Sequence, residues 1–222
     1  MPSGPRAVIF DVDGVLVDSY HAHLESWVLM AREHGLHLTE QEFASTFGQT
    51  SREIIGRFWG PELSAADRAA LDARKEAIYR DLIRARFPAM DGAVELIDAL
   101  HGAGFLLAVG SSGPPENVEL TLERLGRRAS FQARVTGQDV TRGKPDPQVF
   151  AIAAERLGVA ADRCVVVEDA PVGIAAARAA GMASVALVGT APALALAAAD
   201  LVVTSLREVR PADLTALIER TR

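Results

Sequence analysis

Two aspartates, Asp11 and Asp13, follow an apolar stretch near the start of the chain, Ala7 to Phe10. Because residues two apart on extended backbone point to the same side, both carboxylates should lie together at the end of a buried strand. Like charges held that close repel each other, so one pKa should rise unless a cation sits between them. Gly14 then lets the backbone turn away. We interpret Asp11 and Asp13 as a metal-assisted pair that supplies a nucleophile and a proton carrier.

The same stretch has two structural alternatives. Asp13-Gly14 between apolar residues is a signal for a β-hairpin, and this stretch alone does not separate the hairpin from the acid pair. An Asp-x-Asp-Gly string can also open a calcium loop, which needs more oxygen ligands and a closing Glu. Val15, Leu16 and Val17 follow instead, so we exclude the calcium loop.

Three more polar clusters follow predicted strands or lie in crossover loops. Ser111 and Ser112 come after an apolar run, Lys144 stands in Gly-Lys-Pro-Asp-Pro, and Glu168-Asp169 closes a second apolar run. Taken singly, each has a structural explanation: a turn serine, a surface lysine, and an aspartate that caps the next helix. Adjacent acids at a strand end also suit an oxygen-ligated cation such as Mg²⁺, whereas no Cys/His spacing supports zinc.

Apolar strands alternate with helical segments along most of the chain. This alternation predicts an α/β fold whose parallel sheet is covered on both faces. Between Asp18 and Phe87 the pattern is helical throughout, which predicts an all-helical insert. We therefore divide the chain into a core, residues 1–18 and 88–222, and a helical insert, residues 19–87. The predicted strands are Ala7–Phe10, Phe105–Val109, Phe131–Val135, Cys164–Val167, Ala183–Val188 and Leu201–Val203.

The predicted sheet should bring the polar clusters together. In open parallel sheets ligands bind beyond the carboxyl ends of the strands, and the four clusters fall at strand ends or in crossover loops. Together they offer an acid pair of nucleophile type, a hydroxyl, an ammonium and an acid pair of metal-ligand type. Phosphoryl transfer through an aspartyl phosphate requires that set.

The amino-acid composition limits the classes of molecule that this protein is expected to bind. The 222-residue chain has a net charge of −6, which argues against general binding to nucleic acid or to an anionic membrane. An anionic substrate would therefore need a positively charged group or ion at its binding site. The chain has one cysteine, Cys164, a polar N-terminus and no apolar run long enough to span a bilayer, so we expect a cytoplasmic protein. Of its 23 basic residues only Lys75 and Lys144 are lysines.

At this point the sequence resembles the haloacid dehalogenase (HAD) superfamily of phosphohydrolases, and within it the β-phosphoglucomutase-like group with a small helical cap. The string Asp-Val-Asp-Gly-Val-Leu-Val-Asp-Ser from Asp11 matches the first family motif closely. Ser111 falls at the second motif, Lys144 at the third, and Glu168-Asp169 with the following Ala-Pro-Val-Gly at the fourth. The resemblance covers nearly the whole chain and implies a Rossmann-like core with an inserted cap.

The resemblance also implies roles for the site residues. Asp11 would attack phosphorus, and Asp13 would protonate the leaving oxygen and then deprotonate water. Mg²⁺ would be held by Asp11, the backbone carbonyl of Asp13, and Asp169, with Glu168 in or near its shell. Ser111 would bond a phosphoryl oxygen, and Lys144 would balance the charge. The implied substrate-binding residues are Gly14, His23, Trp27, Gly48, Gln49, Arg52, Lys75, Ser112, Gly113 and Asn117.

Two departures from the mutase pattern favour hydrolysis. Mutases of this group tend to carry a lysine before the cap-loop glycine, where this chain has Phe47, and Arg52 stands one place later than a gapless match would put the mutase arginine. Both weaken recognition of a second phosphate. We expect a Mg²⁺-dependent phosphatase that acts on a small phosphorylated metabolite, with a phosphosugar mutase as the alternative. A non-catalytic binding module would predict loss of Asp11 or Asp13, and both are present.

Overall fold

The computed structural model describes residues 4–46 and 51–220. The chain divides into two compact units. One unit, which we call the sheet unit, comprises the residues up to Asp18 together with those from Ala89 onward, and the other, the helical unit, is Ser19–Pro88. The second division lies one residue after the boundary we drew from sequence.

The sheet unit is built on six parallel strands in the order β3-β2-β1-β4-β5-β6. The predicted α/β class with a parallel sheet is confirmed, and each predicted strand is present with ends shifted by no more than two residues. The strands are β1 (Ala7–Phe10), β2 (Leu106–Gly110), β3 (Ala133–Val135), β4 (Cys164–Glu168), β5 (Ala183–Leu187) and β6 (Leu201–Val203).

Strand β1 lies in the middle of the sheet because all four of its residues are apolar and fully buried. It pairs in parallel with β2 on one side and β4 on the other. The hairpin alternative for Asp13-Gly14 is therefore wrong, since neither neighbour of β1 is the segment that follows it. A tight turn is present instead, with the Gly14 N–H bonded to the Val17 carbonyl at 2.9 Å.

Among its described residues, 4–18 and 89–220, the sheet unit has five α-helices and four short 3₁₀ segments. Asp146 is predicted to cap a helix whose first residue is Pro147. The structure starts this helix one residue later, at Gln148, because Pro147 takes the cap position and its carbonyl accepts the Ala151 N–H at 2.9 Å. The Asp146 carboxylate still bonds the Gln148 N–H at 3.0 Å. The helices are α5 (Ala93–Gly102), α6 (Pro115–Leu125), α7 (Gln148–Leu157), α8 (Pro171–Ala179) and α9 (Pro211–Arg220), and the 3₁₀ segments are Arg128–Ser130, Ala161–Arg163, Ala193–Leu196 and Leu206–Glu208.

The helical unit has no strand among its described residues, 19–46 and 51–88. Its longest helix begins after Ser64, whose hydroxyl accepts the Asp67 N–H at 3.1 Å and donates to the Asp67 carboxylate at 2.7 Å. This is the cap that the spacing of these residues predicts. Its helices are α1 (Tyr20–Glu33), α2 (Glu40–Ala44), α3 (Ser51–Trp59) and α4 (Ala65–Ala85). None of the described helices in either unit is both long and apolar enough to cross a membrane.

Candidate active site

The carboxyl ends of the three central strands carry the predicted site residues. Asp11 follows β1 and donates its backbone N–H to the Val167 carbonyl of β4 at 3.0 Å, while Ser111 follows β2 and donates to the Val135 carbonyl of β3 at 3.0 Å. These bonds continue the sheet ladder one residue past each strand and fix where the side chains start. Chain order reverses between β1 and β4, which is the usual place for a ligand crevice in such sheets.

Lys144 bridges two of the acids. Its Nζ donates to Asp11 Oδ1 at 2.9 Å and to Glu168 Oε1 at 2.6 Å, and its side chain is only 7% exposed. The ammonium also lies 4.9 Å from the centre of the Phe150 ring, a favourable cation–π position. Lys144 is therefore a buried, doubly paired cation, and the surface-lysine alternative is wrong.

Three carboxylates form a cluster that suits a divalent cation. Ligand oxygens of Asp11, Glu168 and Asp169 all lie within 4.8 Å of one another, and all three residues are buried. Three carboxylates and one ammonium leave two formal negative charges in a confined space. An oxygen-only donor set with that charge fits Mg²⁺, which binds through a few carboxylates and keeps some of its waters.

The pKa values of the cluster show the cost of holding these charges together. Burial raises the pKa of Asp11 to about 7, opposed by Lys144 and reinforced by the charges of Glu168 and Asp13. Burial, then the neighbouring carboxylates, also raise the pKa of Asp169 well above its ordinary value. Although burial opposes its charge, Asp11 and Glu168 together raise the pKa of Lys144. A bound cation would lower the carboxylate pKa values by favouring the ionised forms.

Two glycines leave the space that the acids occupy. A Cβ on Gly14 would lie 1.9 Å from Asp169 Oδ2, and one on Gly173 would lie 1.8 Å from Glu168 Oε1. Gly14 also has a φ of +73°, where other residues are strained. Any side chain at either position would therefore push a carboxylate out of place.

Glu168 is held by backbone as well as by Lys144. Its Oε2 accepts the N–H groups of Asp169 and Ala170, each at 2.9 Å. The residue before α8 is Ala170, and it makes no side-chain cap bond. Asp169 does not cap this helix, so the helix-cap alternative for Asp169 is wrong.

Ser111 and Asp13 face a common space beside the acid cluster. A Cβ on Gly113 would lie 3.3 Å from Ser111 Oγ and 3.8 Å from Asp13 Oδ2. Ser111 Oγ accepts the Gly113 N–H at 3.0 Å, and Ser111 is 1% exposed. The serine hydroxyl proton can then point towards a ligand. Among the other predicted positions, Ser112 is exposed and Asn117 is buried in α6.

The predicted ligand residues of the helical unit fall into two groups. Lys75 is 3% exposed, and its Nζ lies 2.9 Å from His23 Nδ1 and 2.7 Å from Glu76 Oε1. His23 stacks on Tyr79 with ring centres 4.2 Å apart. Thus the structure brings Lys75 and His23 together in a polar cluster with Glu76.

The remaining positions in this unit differ in burial. Trp27 is 2% exposed within the hydrophobic core of the helical unit, beside residues such as Met30 and Ile55. Arg52 is exposed on α3. Gly48 and Gln49 lie outside the described residues. The burial of Trp27 is that of a packing residue.

Two further residues that support the site were not predicted from sequence. The Thr190 hydroxyl interacts with the Asp169 carboxylate through a hydrogen bond that lowers the Asp169 pKa. Gln148 bonds the loop that carries Lys144. Neither residue belongs to a strand-end cluster or a charged motif, so the sequence contains no signal for them.

Comparison with known proteins identifies the family of this fold. The chain combines a parallel sheet with a buried lysine that pairs with Asp11 and Glu168 beside a cluster of buried acids. The family model for haloacid dehalogenase-like hydrolases matches residues 5–181. The chain is a member of that family, and the predicted membership is confirmed.

Named relatives of this chain are phosphatases. Validoxylamine A 7'-phosphate phosphatase from Streptomyces hygroscopicus subsp. limoneus is 34% identical over 209 residues, covering 92% of this chain and 96% of the relative. Hexitol phosphatase A from Escherichia coli (strain K12) is 34% identical over 204 residues, covering 92% and 93%. A β-phosphoglucomutase structure from Clostridium difficile aligns with a TM-score of 0.85 over 98% of both chains at 24% identity, a likeness of fold.

Proposed function

We propose that this protein is a Mg²⁺-dependent phosphatase that hydrolyses a small phosphorylated metabolite through an aspartyl phosphate on Asp11. The observation that carries the proposal is the position of the Asp11 carboxylate, which is paired with Lys144 and lies within 4.8 Å of ligand oxygens of Glu168 and Asp169. A nucleophile must be near a cation to accept a phosphate dianion, and this arrangement supplies two positions for positive charge.

The first half of the reaction uses Asp11 and Asp13. An Asp11 oxygen attacks phosphorus, the bond from phosphorus to the ester oxygen breaks, and that oxygen takes a proton from Asp13. Ser111 donates a hydrogen bond to a phosphoryl oxygen, and Lys144 balances the charge of the phosphate and of Asp11. The ion held by Asp11, Asp169 and the Asp13 carbonyl, with Glu168 near it, would supply further charge neutralisation when bound.

The second half returns the enzyme to its starting state. Asp13, now ionised, takes a proton from water, and the water oxygen attacks phosphorus. The bond between phosphorus and Asp11 breaks, which releases inorganic phosphate and the free carboxylate. The same side chain thus acts first as an acid and then as a base, which requires that its two forms be close in free energy at the working pH.

We propose that the helical unit selects the substrate. We propose that His23, Lys75 and Arg52 contact the substrate, and that Trp27 packs the unit. Gly14, Ser112, Gly113 and Asn117 would complete the binding site in the sheet unit. The two named relatives are, by their names, phosphatases of validoxylamine A 7'-phosphate and of a hexitol phosphate, so we propose a small phosphorylated metabolite as the substrate here. A cytoplasmic location stays a prediction, which fractionation of cells would test.

Replacing the nucleophile tests the reaction. We expect Asp11→Asn to abolish hydrolysis of an aryl phosphate in Mg²⁺, with a loss of at least about 10³-fold, because an amide cannot form the acyl phosphate. Release of the phenol is measured by absorbance. Asp162→Asn is the matched control, since Asp162 lies in a 3₁₀ segment at the amino end of β4, whereas the site lies at the carboxyl ends of the strands. Undiminished turnover in Asp11→Asn would contradict the mechanism.

The alternative function is a phosphosugar mutase. The fold likeness to β-phosphoglucomutase and the motif positions of His23 and Trp27 favour it, whereas Phe47 and the offset of Arg52 do not. We expect β-glucose 1-phosphate with a bisphosphate primer to yield free phosphate rather than glucose 6-phosphate. A coupled assay for glucose 6-phosphate beside a phosphate assay decides this, and faster isomerisation than phosphate release would establish the mutase.

A further inference from the structure

Lys144 is delivered to the site by a loop. The loop joins β3 to α7 over residues 136–147, and Thr141, Arg142 and Gly143 in it are exposed. A Cβ on Gly143 would have nothing within 4 Å, so packing does not hold this part of the loop. The Lys144 ammonium nevertheless makes bonds of 2.9 and 2.6 Å to two carboxylates. A flexible segment can hold such a geometry only when other groups fix its backbone.

One side chain supplies that constraint. Gln148 Oε1 accepts the Thr141 N–H at 2.8 Å, the Thr141 hydroxyl at 3.2 Å and the Arg142 N–H at 3.0 Å. Because two of these three groups are backbone N–H donors, the Gln148 atom that they contact must be its carbonyl oxygen. The Gln148 amide thus binds the backbone of the two residues Thr141 and Arg142, shortly before Lys144 in the chain.

Gln148 is itself fixed from two directions. It is the first residue of α7, whose next two residues, Val149 and Phe150, are buried in the core of the sheet unit. Its backbone N–H donates to Asp146 Oδ1 at 3.0 Å, and Asp146 Oδ2 pairs with Arg142 Nε at 2.9 Å. These bonds close the segment between Thr141 and Gln148 into a ring, and Lys144 lies within it.

We propose that Gln148 is the positioning residue for Lys144: its side-chain oxygen fixes the loop backbone so that the ammonium reaches both Asp11 and Glu168. The inference rests on the proposed function, in which Lys144 balances charge at the nucleophile. It assigns Gln148 no contact with substrate or metal. What matters at position 148 is an acceptor oxygen at this reach, whether from an amide or from a carboxylate.

A pair of variants isolates the acceptor. Gln148→Leu keeps the approximate size of the side chain and removes the oxygen. Gln148→Glu keeps the oxygen, and its negative charge is favourable at the first position of a helix. If the oxygen is what counts, Gln148→Glu should behave as the wild-type protein does, and Gln148→Leu should not.

The two lysines of the chain provide a readout that does not depend on activity. Lys144 and Lys75 are the only lysines, and both are buried. Brief treatment with an amine-acylating reagent, in chelator and without substrate, is followed by mass spectrometry of the two lysine peptides. Lys75 belongs to the helical unit and has its own partners, so its acylation reports general unfolding and reagent strength.

We expect the ratio of Lys144 to Lys75 acylation to rise about tenfold in Gln148→Leu, the effect of losing roughly one net hydrogen bond's worth of restraint. The ratio should stay at the wild-type value in Gln148→Glu. With aryl phosphate, kcat should fall in Gln148→Leu and recover in Gln148→Glu. If Gln148→Leu does not fold, Gln148→Asn, which withdraws the oxygen by one methylene, decides by the same ratio.

Two outcomes would overturn the proposal. They are an unchanged ratio in the variant that decides and a Gln148→Glu protein that matches Gln148→Leu. Because the acylation needs neither turnover nor metal, these outcomes are distinct from failure of the proposed reaction. An active Asp11→Asn protein would end the proposed function while leaving the Gln148 result readable.

Discussion

At the scale of single residues, the site depends on how closely unlike groups can be packed around Asp11. Lys144 contributes one positive charge against the carboxylates of Asp11, Glu168 and Asp169, yet burial, reinforced by the neighbouring carboxylates, still raises the pKa values of Asp11 and Asp169. Groups in such a state favour a cation strongly, because binding relieves their repulsion. The arrangement therefore lowers the stability of the metal-free fold and raises the affinity of the site for a cation.

Gly173 lets Glu168 take its place in this arrangement. In Gly173→Ala the Cβ would meet Glu168 Oε1 at 1.8 Å, so the carboxylate must move and its bond to Lys144 should be lost. We expect at least about a tenfold loss of phosphatase activity, since one charge-assisted bond is worth about 1.5–3 kcal/mol. Activity and the Mg²⁺ concentration for half-maximal rate are the measurements.

Gly102→Ala is the control for the alanine itself. Gly102 also lies in a helix, and a Cβ there would have nothing within 4 Å, so this variant should keep full activity and gain up to about 1 kcal/mol of stability. Shortening the acid in Gly173→Ala/Glu168→Asp should restore part of the activity. A fully active Gly173→Ala protein would show that the close approach of Gly173 and the Glu168 carboxylate does not matter for activity.

Site residues could be predicted from the sequence wherever they stand at the end of an apolar strand. Asp11, Ser111 and Glu168 were found in this way, because the ends of parallel strands must share an edge of the sheet. Gln148 and Thr190 were not, because their value lies in which atoms they meet in three dimensions. Trp27 illustrates the same difficulty, since a motif position and a core position look alike in sequence.

At the scale of elements, the strands were easier to predict than the helix ends. Strands buried on both faces appear as continuous apolar runs; β1 has that pattern in full, and β4 has it up to Val167. Helix starts depend on one or two local hydrogen bonds, as at α7, where the Pro147 carbonyl accepts the first bond of the helix. The cap of α4 was predictable because Ser64 and Asp67 have a recognisable spacing.

The Ser64 cap gives a prediction for α4. Ser64→Ala removes the oxygen that accepts the Asp67 N–H, so we expect the first turn of α4 to lose about 1 kcal/mol of stability. Amide hydrogen exchange should quicken in residues 65–68 and stay unchanged near Ile83, at the far end of the helix. Ser64→Asp should restore the protection, and unchanged exchange in Ser64→Ala would contradict the role of the cap.

At the scale of the whole molecule, the charges of the site act on the stability of the fold. The folded-state pKa of Asp11, about 7, lies above its ordinary value of 3.8. A raised pKa means that Asp11 contributes its stabilising share below about pH 4 and loses it as the pH rises through about 7. Without metal, ionisation of Asp11 therefore weakens the fold.

The difference between wild type and Asp11→Asn isolates this effect from all other titrations. In chelator, we expect the urea midpoint of Asp11→Asn, relative to wild type, to increase between about pH 5 and pH 8, because asparagine stays neutral. Saturating Mg²⁺ should reduce the difference at pH 8 by stabilising the ionised aspartate of the wild type. A difference that does not vary with pH would contradict the raised pKa.

The turn after β1 has a consequence for how this chain can change over time. Val17 and Ala89 form an antiparallel bridge, and the Met90 N–H bonds the Leu16 carbonyl at 3.1 Å. The two ends of the 71-residue insertion between Val17 and Ala89 are thus held together by these backbone contacts. Closing a longer loop adds only about 0.6 kcal/mol per doubling of its length. This insertion point can therefore accept inserts of very different size. Under the proposed function, substrate preference changes with the inserted unit while the strand-end residues stay in place.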